Sequence, residues 1–399
     1  MQAEQLEMMM RVARILTQKY DVVCTNPPYM GGSGMNATLS TYVKKNFPDS
    51  KSDLFACFIE KGIHLSKAGG YNCMVTMQSW MFLSSFEKMR EKMLAQYTIT
   101  NLMHMENMVM GIAFGTAVSI FRKNFLRGYK GTYNQIKLQD VENGEPTIFP
   151  VMSNRFAQVS STNFSKIPGS PVAYWVSENF VRAFENKTIG ELAKPRQGLA
   201  TGCNDIFIRQ WYEVKIENIK FDAHSIAEAV KSKKKWFPYN KGGEFRKWYG
   251  NNDFVVNWEN DGLLIRNFKN DNGKLRSRPQ NTQFYFRESV SWSLVSSGSA
   301  AFRYKPYGYI FDIAGMSCFS DNMLYYLLGF TNTPISMEML SVLAPTINFQ
   351  AGDIANLPVA VNKEKQPIVE KLVNENIALS KVDWDSFETS WDFEGHPLV

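Results

Sequence analysis

An α/β domain followed by a mostly β (α+β) domain is the fold class this sequence predicts, and three observations predict it. From residue 1 to about 137 helical and strand periods alternate, as they do when helices cover a mainly parallel sheet. From 137 to about 170 the helical period is lost and Gly, Pro, Asn and Ser punctuate the chain, which reads as a connection. From 189 to 349 aromatic and β-branched runs are separated by the turn signals NKGGEF, YGNND, NDNGK and YKPYGY. The expected division is a first domain over 1–150, a linker over 151–188 and a second domain over 189–399.

Taken in order, residues 4–18 predict an amphipathic helix and 21–25 (DVVCT) a short buried strand. Ser52 is placed to cap a helix on which Leu54, Phe55, Phe58, Ile59 and Ile63 share a face, with Gly69-Gly70 as its stop. A strand over 71–77 follows, then a helix opened by the box Ser84-x-x-Glu87, then strands over 99–103 and Thr116–Arg122. Near the end, 366–380 predicts one long helix carrying Ile368, Leu372, Ile377 and Leu379.

Composition excludes several classes. Charged residues are 21% of the chain against 44% hydrophobic, too apolar for a disordered chain. The longest near-apolar stretch, 108–121, is interrupted by Gly111, Gly115, Thr116 and Ser119 and is too short to cross a bilayer, so no membrane partner is expected and the cytoplasm is the expected location. The five cysteines, Cys24, Cys57, Cys73, Cys203 and Cys318, lack disulfide or zinc spacing and read as reduced core thiols. His64, His104, His224 and His396 are equally scattered, so no metal is expected.

The formal net charge is +6, and the window 231–250 accounts for all of it. There Lys231, Lys233, Lys234, Lys235, Lys241, Arg246 and Lys247 face only Glu244 and are interleaved with Trp236, Phe237, Tyr239, Phe245, Trp248 and Tyr249. Cations beside aromatic rings suit phosphate contact with base or sugar stacking; a solvated helix end followed by a core hairpin is the plainer alternative. A second basic stretch holds Arg266, Lys269, Lys274, Arg276, Arg278 and Arg287.

The chemistry is concentrated where DVVCT runs into Asn26-Pro27-Pro28-Tyr29. Two prolines fix φ and remove two N–H donors, which holds the Asn26 side chain and the Pro27 carbonyl as preset acceptors at the strand's carboxyl end. Open α/β sheets bind ligands at that end. Two acceptors aimed at one exocyclic amine can take both of its hydrogens and ready the nitrogen to attack a methyl sulfonium, with Tyr29 stacking on the ring that bears the amine. An Asn-Pro turn that merely ends a strand is the alternative. The MGGSGMN segment after it reads as a flexible substrate loop.

With this motif the sequence resembles the amino-methyltransferases that methylate adenine N6 in DNA. SDLFACFIEKGIHLSKAGGYNCMVTMQSWMFLSSFEKMREKML resembles their following helix–strand–helix, and PRQGLATGCNDIFIR the entry to their target-recognition domain. FRYKPYGYIFDIAGMS, LAPTINFQAGDIANLPV and DWDSFETSWDF are similar to the adenine methyltransferase of bacterial BREX phage-defence systems, the PglX family. The resemblance implies the second half of a Rossmann-like class I methyltransferase sheet joined to a target-recognition domain, with S-adenosylmethionine as methyl donor and double-stranded DNA as substrate. Other phage-defence proteins are implied as partners. It places Asn26 and Pro27 at the target amine and Tyr29 on the flipped adenine, with Pro28 completing the catalytic motif. It also puts an aromatic on the base's other face, for which Phe114 is the nearest candidate, Met110 lies about as close, and core packing is the alternative.

In this class the glycine loop and ribose-binding acid for S-adenosylmethionine precede the Asn-Pro-Pro-Tyr strand. Only a short helix precedes it here, so no cofactor-binding residue is identified and the chain reads as an internal fragment. Lys233, Lys234, Lys235, Lys241, Arg246 and Lys247 are the expected DNA contacts. Two other readings stay open: a non-catalytic DNA-binding specificity module, and a protein-glutamine or RNA amino-methyltransferase.

Overall fold

The computed structural model describes residues 2–296 and 298–396. The chain divides into two compact units, Met1–Arg182 and Ala183–Val399.

In the first unit, helix α1 (Gln2–Thr17) leads to strand β1 (Tyr20–Thr25). Next come α2 (Ala37–Asn46), α3 (Leu54–Leu65), β2 (Ser66–Met77), α4 (Glu87–Gln96), β3 (Thr98–Met105), β4 (Thr116–Arg122) and β5 (Lys130–Ile136). A small hairpin, β6 (Val141–Glu142) and β7 (Glu145–Pro146), turns through Asn143 and Gly144, both at positive φ, and β8 (Arg155–Ser160) closes the series. One six-stranded sheet forms in the order β1-β2-β4-β3-β5-β8. Its core holds Phe55, Ile59, Met74, Trp80, Leu102, Phe121 and Tyr133.

The expectation of a mainly parallel sheet is corrected. The pairs β1 with β2 and β3 with β5 are parallel, whereas β4 is antiparallel to both neighbours and β8 is antiparallel to β5. The connection from Met105 to Thr116 carries no helix, and without a helical crossover the chain can only return antiparallel. The buried strand is corrected too. β1 is an edge strand paired only with β2 among the described residues, and Val22 is 55% exposed. The helix before it forms, but its Leu6, Met9, Val12, Ile15 and Leu16 are all exposed rather than packed on one face. Cys24 is exposed, and only Cys57 and Cys318 are core thiols.

Local signals were displaced by short distances. Asp53, not Ser52, caps α3, its carboxylate accepting from the Phe55 N–H. The helix stops at Leu65, where the Ser66 N–H donates to the carbonyls of Gly62 and Ile63. Gly69-Gly70 instead serve the strand pair, at the point where the β1–β2 register shifts between Tyr20 and Val22. A Cβ on Gly70 would lie 2.8 Å from the Asp21 carbonyl oxygen. Ser84 opens a separate 3-10 turn, Ser84–Phe86, and gives no side-chain cap to α4.

Much of the stretch read as linker belongs to the first unit. β8 pairs with β5, and Phe164, Val172 and Tyr174 sit in its core. Arg90, 1% exposed, fastens this segment by donating from Nε and Nη2 to the Gly169 carbonyl at 3.0 and 2.6 Å.

The second unit is mixed rather than mostly β, with more residues in helices than in strands. One four-stranded sheet runs Ile208–Gln210, Phe254–Asn257, Trp236–Asn240, Ile310–Phe311; another runs Phe302–Lys305, Ser289–Ser293, Gly315–Phe319, Lys194–Arg196. Helix Leu324–Thr331 was missed because it is apolar on most sides, which erases the helical period. The long helix spans Gln366–Asp385 and packs through Val373, while Ile368, Leu372 and Leu379 face outward.

Candidate active site

At the carboxyl end of β1 the chain enters Asn26-Pro27-Pro28-Tyr29. Pro27 is buried while Asn26 and Pro28 are exposed, so the turn is anchored by one proline and presents the asparagine at the surface. Tyr29 is half-buried; its hydroxyl lies 3.2 Å from Asn26 Oδ1 and 3.2 Å from the Val75 carbonyl oxygen on β2. Burial pushes the Tyr29 phenol above its ordinary range, so it remains protonated and donates. The Tyr29 ring meets Phe55 edge-on at 6.0 Å and Phe114 edge-on at 5.7 Å. The structure thus brings Phe114 to the motif. Met110 is 52% exposed and its sulfur accepts from the Thr116 hydroxyl at 3.4 Å.

The segment after the motif is pinned, which corrects the flexible-loop expectation. Asp53 Oδ1 accepts from the Met30 N–H at 3.0 Å while capping α3, and the Leu54 N–H donates to the Met30 carbonyl at 3.0 Å. Asn36 caps α2 by accepting from the Leu39 N–H. The Gly32 and Gly34 N–H groups donate to the carbonyls of Ser52 and Gly31. With those donors spent, Gly31 to Gly34 do not fit the glycine loop of an S-adenosylmethionine site.

A polar chain that sequence reading missed lies beside these residues. The Gln78 N–H, just past β2, donates to the Gly115 carbonyl at 3.0 Å, next to Phe114. Gln78 Oε1 lies 2.5 Å from His104 Nε2, His104 Nδ1 lies 3.0 Å from the Tyr174 hydroxyl, and Gln78 Nε2 lies 3.4 Å from Asn107 Oδ1. His104 is 6% exposed, and burial pulls its imidazole down to about 4, so the ring is neutral near pH 7. The only local signal was Gly115 before the strand: a Cβ there would stand 2.4 Å from Gln78 Cδ.

In the second unit the basic window is only partly outward. Lys233 and Lys235 are exposed. The Lys234 ammonium donates to the Glu217 carbonyl, Lys247 to the Asn332 carbonyl at 2.9 Å, and Arg246 pairs with Asp383 while lying over the Trp384 ring. Lys241 lies over Phe254 at 5.1 Å. The aromatic half of the stacking expectation is corrected: Trp236, Phe237, Tyr239 and Tyr249 are buried, and of the six only Phe245 is largely exposed. Trp236, Phe237 and Tyr239 lie on strand Trp236–Asn240, which is buried throughout. In the second basic stretch Lys269, Lys274, Arg276 and Arg278 are exposed, Arg266 pairs with Asp261, and Arg287 pairs with Asp321.

Residues 2–109 match the family model described as Eco57I restriction-modification methylase. The chain is 39% identical, over 99% of its length, to the adenine-specific methyltransferase PglX of Lacticaseibacillus casei, of which it covers 34%. It is 38% identical, over 97% of its length, to the adenine-specific methyltransferase BrxX of Escherichia coli, of which it covers 31%. The chain therefore spans about a third of the length of the curated relatives it matches. In fold it is similar to the Type IIL restriction-modification enzyme MmeI solved in complex with DNA, with a TM-score of 0.57 at 12% identity over 93% of this chain and 50% of that one.

Proposed function

We propose, on the premise that this chain is homologous along nearly all its length to the adenine-specific methyltransferases PglX and BrxX, that it supplies the target-base pocket and DNA-reading surface of a site-specific DNA adenine N6-methyltransferase. The observation that carries this reading is the strand-end turn, where an exposed Asn26 oxygen, a protonated Tyr29 and Phe114 meet. A flipped adenine would stack on Tyr29, and its amine would donate to Asn26 Oδ1 and the Pro27 carbonyl. Acceptors fixed before the amine arrives lower the cost of reaching the transition state. No strong general base is required by this scheme, because the acceptors shape the nucleophile.

S-adenosylmethionine is the methyl donor in this reading and duplex DNA the substrate, in the context of phage defence. The exposed edge of β1 and the exposed apolar residues of α1 support a sheet that further strands complete in the whole protein. Base flipping is required because the amine is paired inside the duplex. The test is single-turnover methylation by a full-length protein carrying this segment. Asn26→Ala should slow methyl transfer by about a hundredfold or more with DNA affinity nearly unchanged, and transfer at the parental rate would remove the claim.

A further inference from the structure

The Gln78 carboxamide has no part in the proposed amine chemistry, yet three partners fix its direction. Tyr174 is buried, and burial holds its phenol above its ordinary range, so its hydroxyl keeps its proton; because Gln78 Oε1, which can only accept, faces His104 Nε2, the neutral imidazole accepts at Nδ1 from the Tyr174 hydroxyl. A neutral imidazole that accepts at Nδ1 carries its one N–H at Nε2, and that N–H faces Gln78 Oε1. The carboxamide oxygen is turned toward His104 and its NH2 away from it, toward Asn107 Oδ1 at 3.4 Å. Asn107 is exposed, so the NH2 lies on the open side of the chain of bonds. Val75, whose carbonyl oxygen is 3.2 Å from the Tyr29 hydroxyl, lies three residues before Gln78 on the same stretch, and the Gln78 N–H donates to the carbonyl of Gly115, the residue after Phe114. The lack of a side chain at Gly115 is what lets the amide lie there.

We propose that Gln78 is a base-recognition residue whose NH2 donates to a ring-nitrogen acceptor flanking the exocyclic amine of the base held by Tyr29 and Phe114, with His104 and Tyr174 as positioning residues. This rests on the reading that Asn26 and Tyr29 receive an amine-bearing base. A donor on the N1 side admits adenine, whose N1 is an acceptor, and opposes guanine in the same orientation, which would present O6 to the Asn26 and Pro27 acceptors and an N1–H to the donor. A misplaced donor would face an N–H and leave both groups unpaired, the source of discrimination in buried polar sites.

The test uses this chain with duplexes that hold adenine, 1-deazaadenine, 7-deazaadenine or no base at one position opposite an abasic site. The expected result is that the chain prefers adenine to the empty position, and that one deaza analogue binds about fivefold to tenfold more weakly than adenine, the value of one neutral hydrogen bond. Gln78→Ala should abolish that analogue penalty while keeping the preference for adenine over the empty position. His104→Phe should reduce the penalty without removing Gln78, and circular dichroism should show both variants folded. If neither analogue is penalised, or if Gln78→Ala keeps the penalty, the proposal is overturned. If the parental chain does not distinguish adenine from the empty position, the base-pocket reading itself fails and takes this inference with it.

Discussion

The Tyr29 hydroxyl donates to the Asn26 side-chain oxygen across 3.2 Å, and the Val75 carbonyl oxygen competes for the same hydrogen at 3.2 Å. One hydrogen shared by two acceptors leaves Asn26 Oδ1 a lone pair for an incoming amine. The ring and the hydroxyl of Tyr29 therefore have separable duties. Tyr29→Ala removes the stacking platform and should weaken capture of a flipped base by roughly 1–3 kcal/mol. Tyr29→Phe keeps the ring and should lose less than about 1 kcal/mol, the value of an ordinary hydrogen bond. Fluorescence titration with 2-aminopurine at the target position measures both. Equal losses would show that the ring is not the platform.

Lys233 and Lys235 are the outward members of the lysine run, whereas Lys234 is tied to the Glu217 carbonyl. If each of the two outward lysines meets one phosphate, changing both to Ala should lower the slope of log affinity against log salt by about 2 for any duplex sequence. Lys234→Ala should leave that slope unchanged. Filter-binding across a salt series checks it, and an equal effect from Lys234 would mean that its ammonium leaves Glu217 to bind DNA.

The motif was legible because its chemistry lies in four consecutive residues and two prolines set its backbone whatever surrounds it. Strand direction was not, because the two-residue period of β4 is the same whichever way the strand runs. Phe114 could be tied to Tyr29 only through space, and Met110 was as good a candidate until the ring contact at 5.7 Å was seen. Gln78, His104 and Tyr174 are far apart in sequence, so no spacing rule groups them. The aromatics among the lysines misled because a fully buried strand carries apolar residues on both faces and leaves its charges to the flanking turns.

The neutral state of His104 has a pH signature. Its folded value of about 4 lies below the ordinary 6.5, so the unfolded chain binds more protons between those values and stability must rise with pH across that window. The contribution is complete above about pH 6.5 and is lost as pH falls toward 4, at up to about 1.4 kcal/mol per pH unit. His104→Gln cannot titrate, so urea midpoints for the variant should fall less steeply between pH 6.5 and 4.5 than those of the parent. Parallel slopes would mean that the imidazole titrates in the fold as it does in the unfolded chain, so that burial does not hold it neutral across that window.

Two glycines of the second unit separate backbone strain from collision. Gly273 has φ +74 and a Cβ built on it meets nothing within 4 Å, whereas Gly308 has φ +100 and a Cβ there would stand 1.8 Å from the Phe221 carbonyl oxygen. Gly273→Ala should therefore cost only the left-handed penalty of an L residue, roughly 1–2 kcal/mol. Gly308→Ala must pay that penalty and also push apart two stretches of backbone, because the obstructing atom is a carbonyl and not the end of a flexible side chain. That carbonyl belongs to the residue whose ring lies 5.0 Å from Trp391, and the Gly308 N–H donates to the Phe286 carbonyl at 3.2 Å. Relief of the clash would disturb both contacts. The expected loss is on the order of 3 kcal/mol or more, in the range that backbone strain and broken packing reach together. Urea unfolding of the two variants side by side measures the difference. Equal losses would mean that the turn at Gly308 can open without disturbing Phe221, and that left-handed backbone alone accounts for the requirement for glycine there.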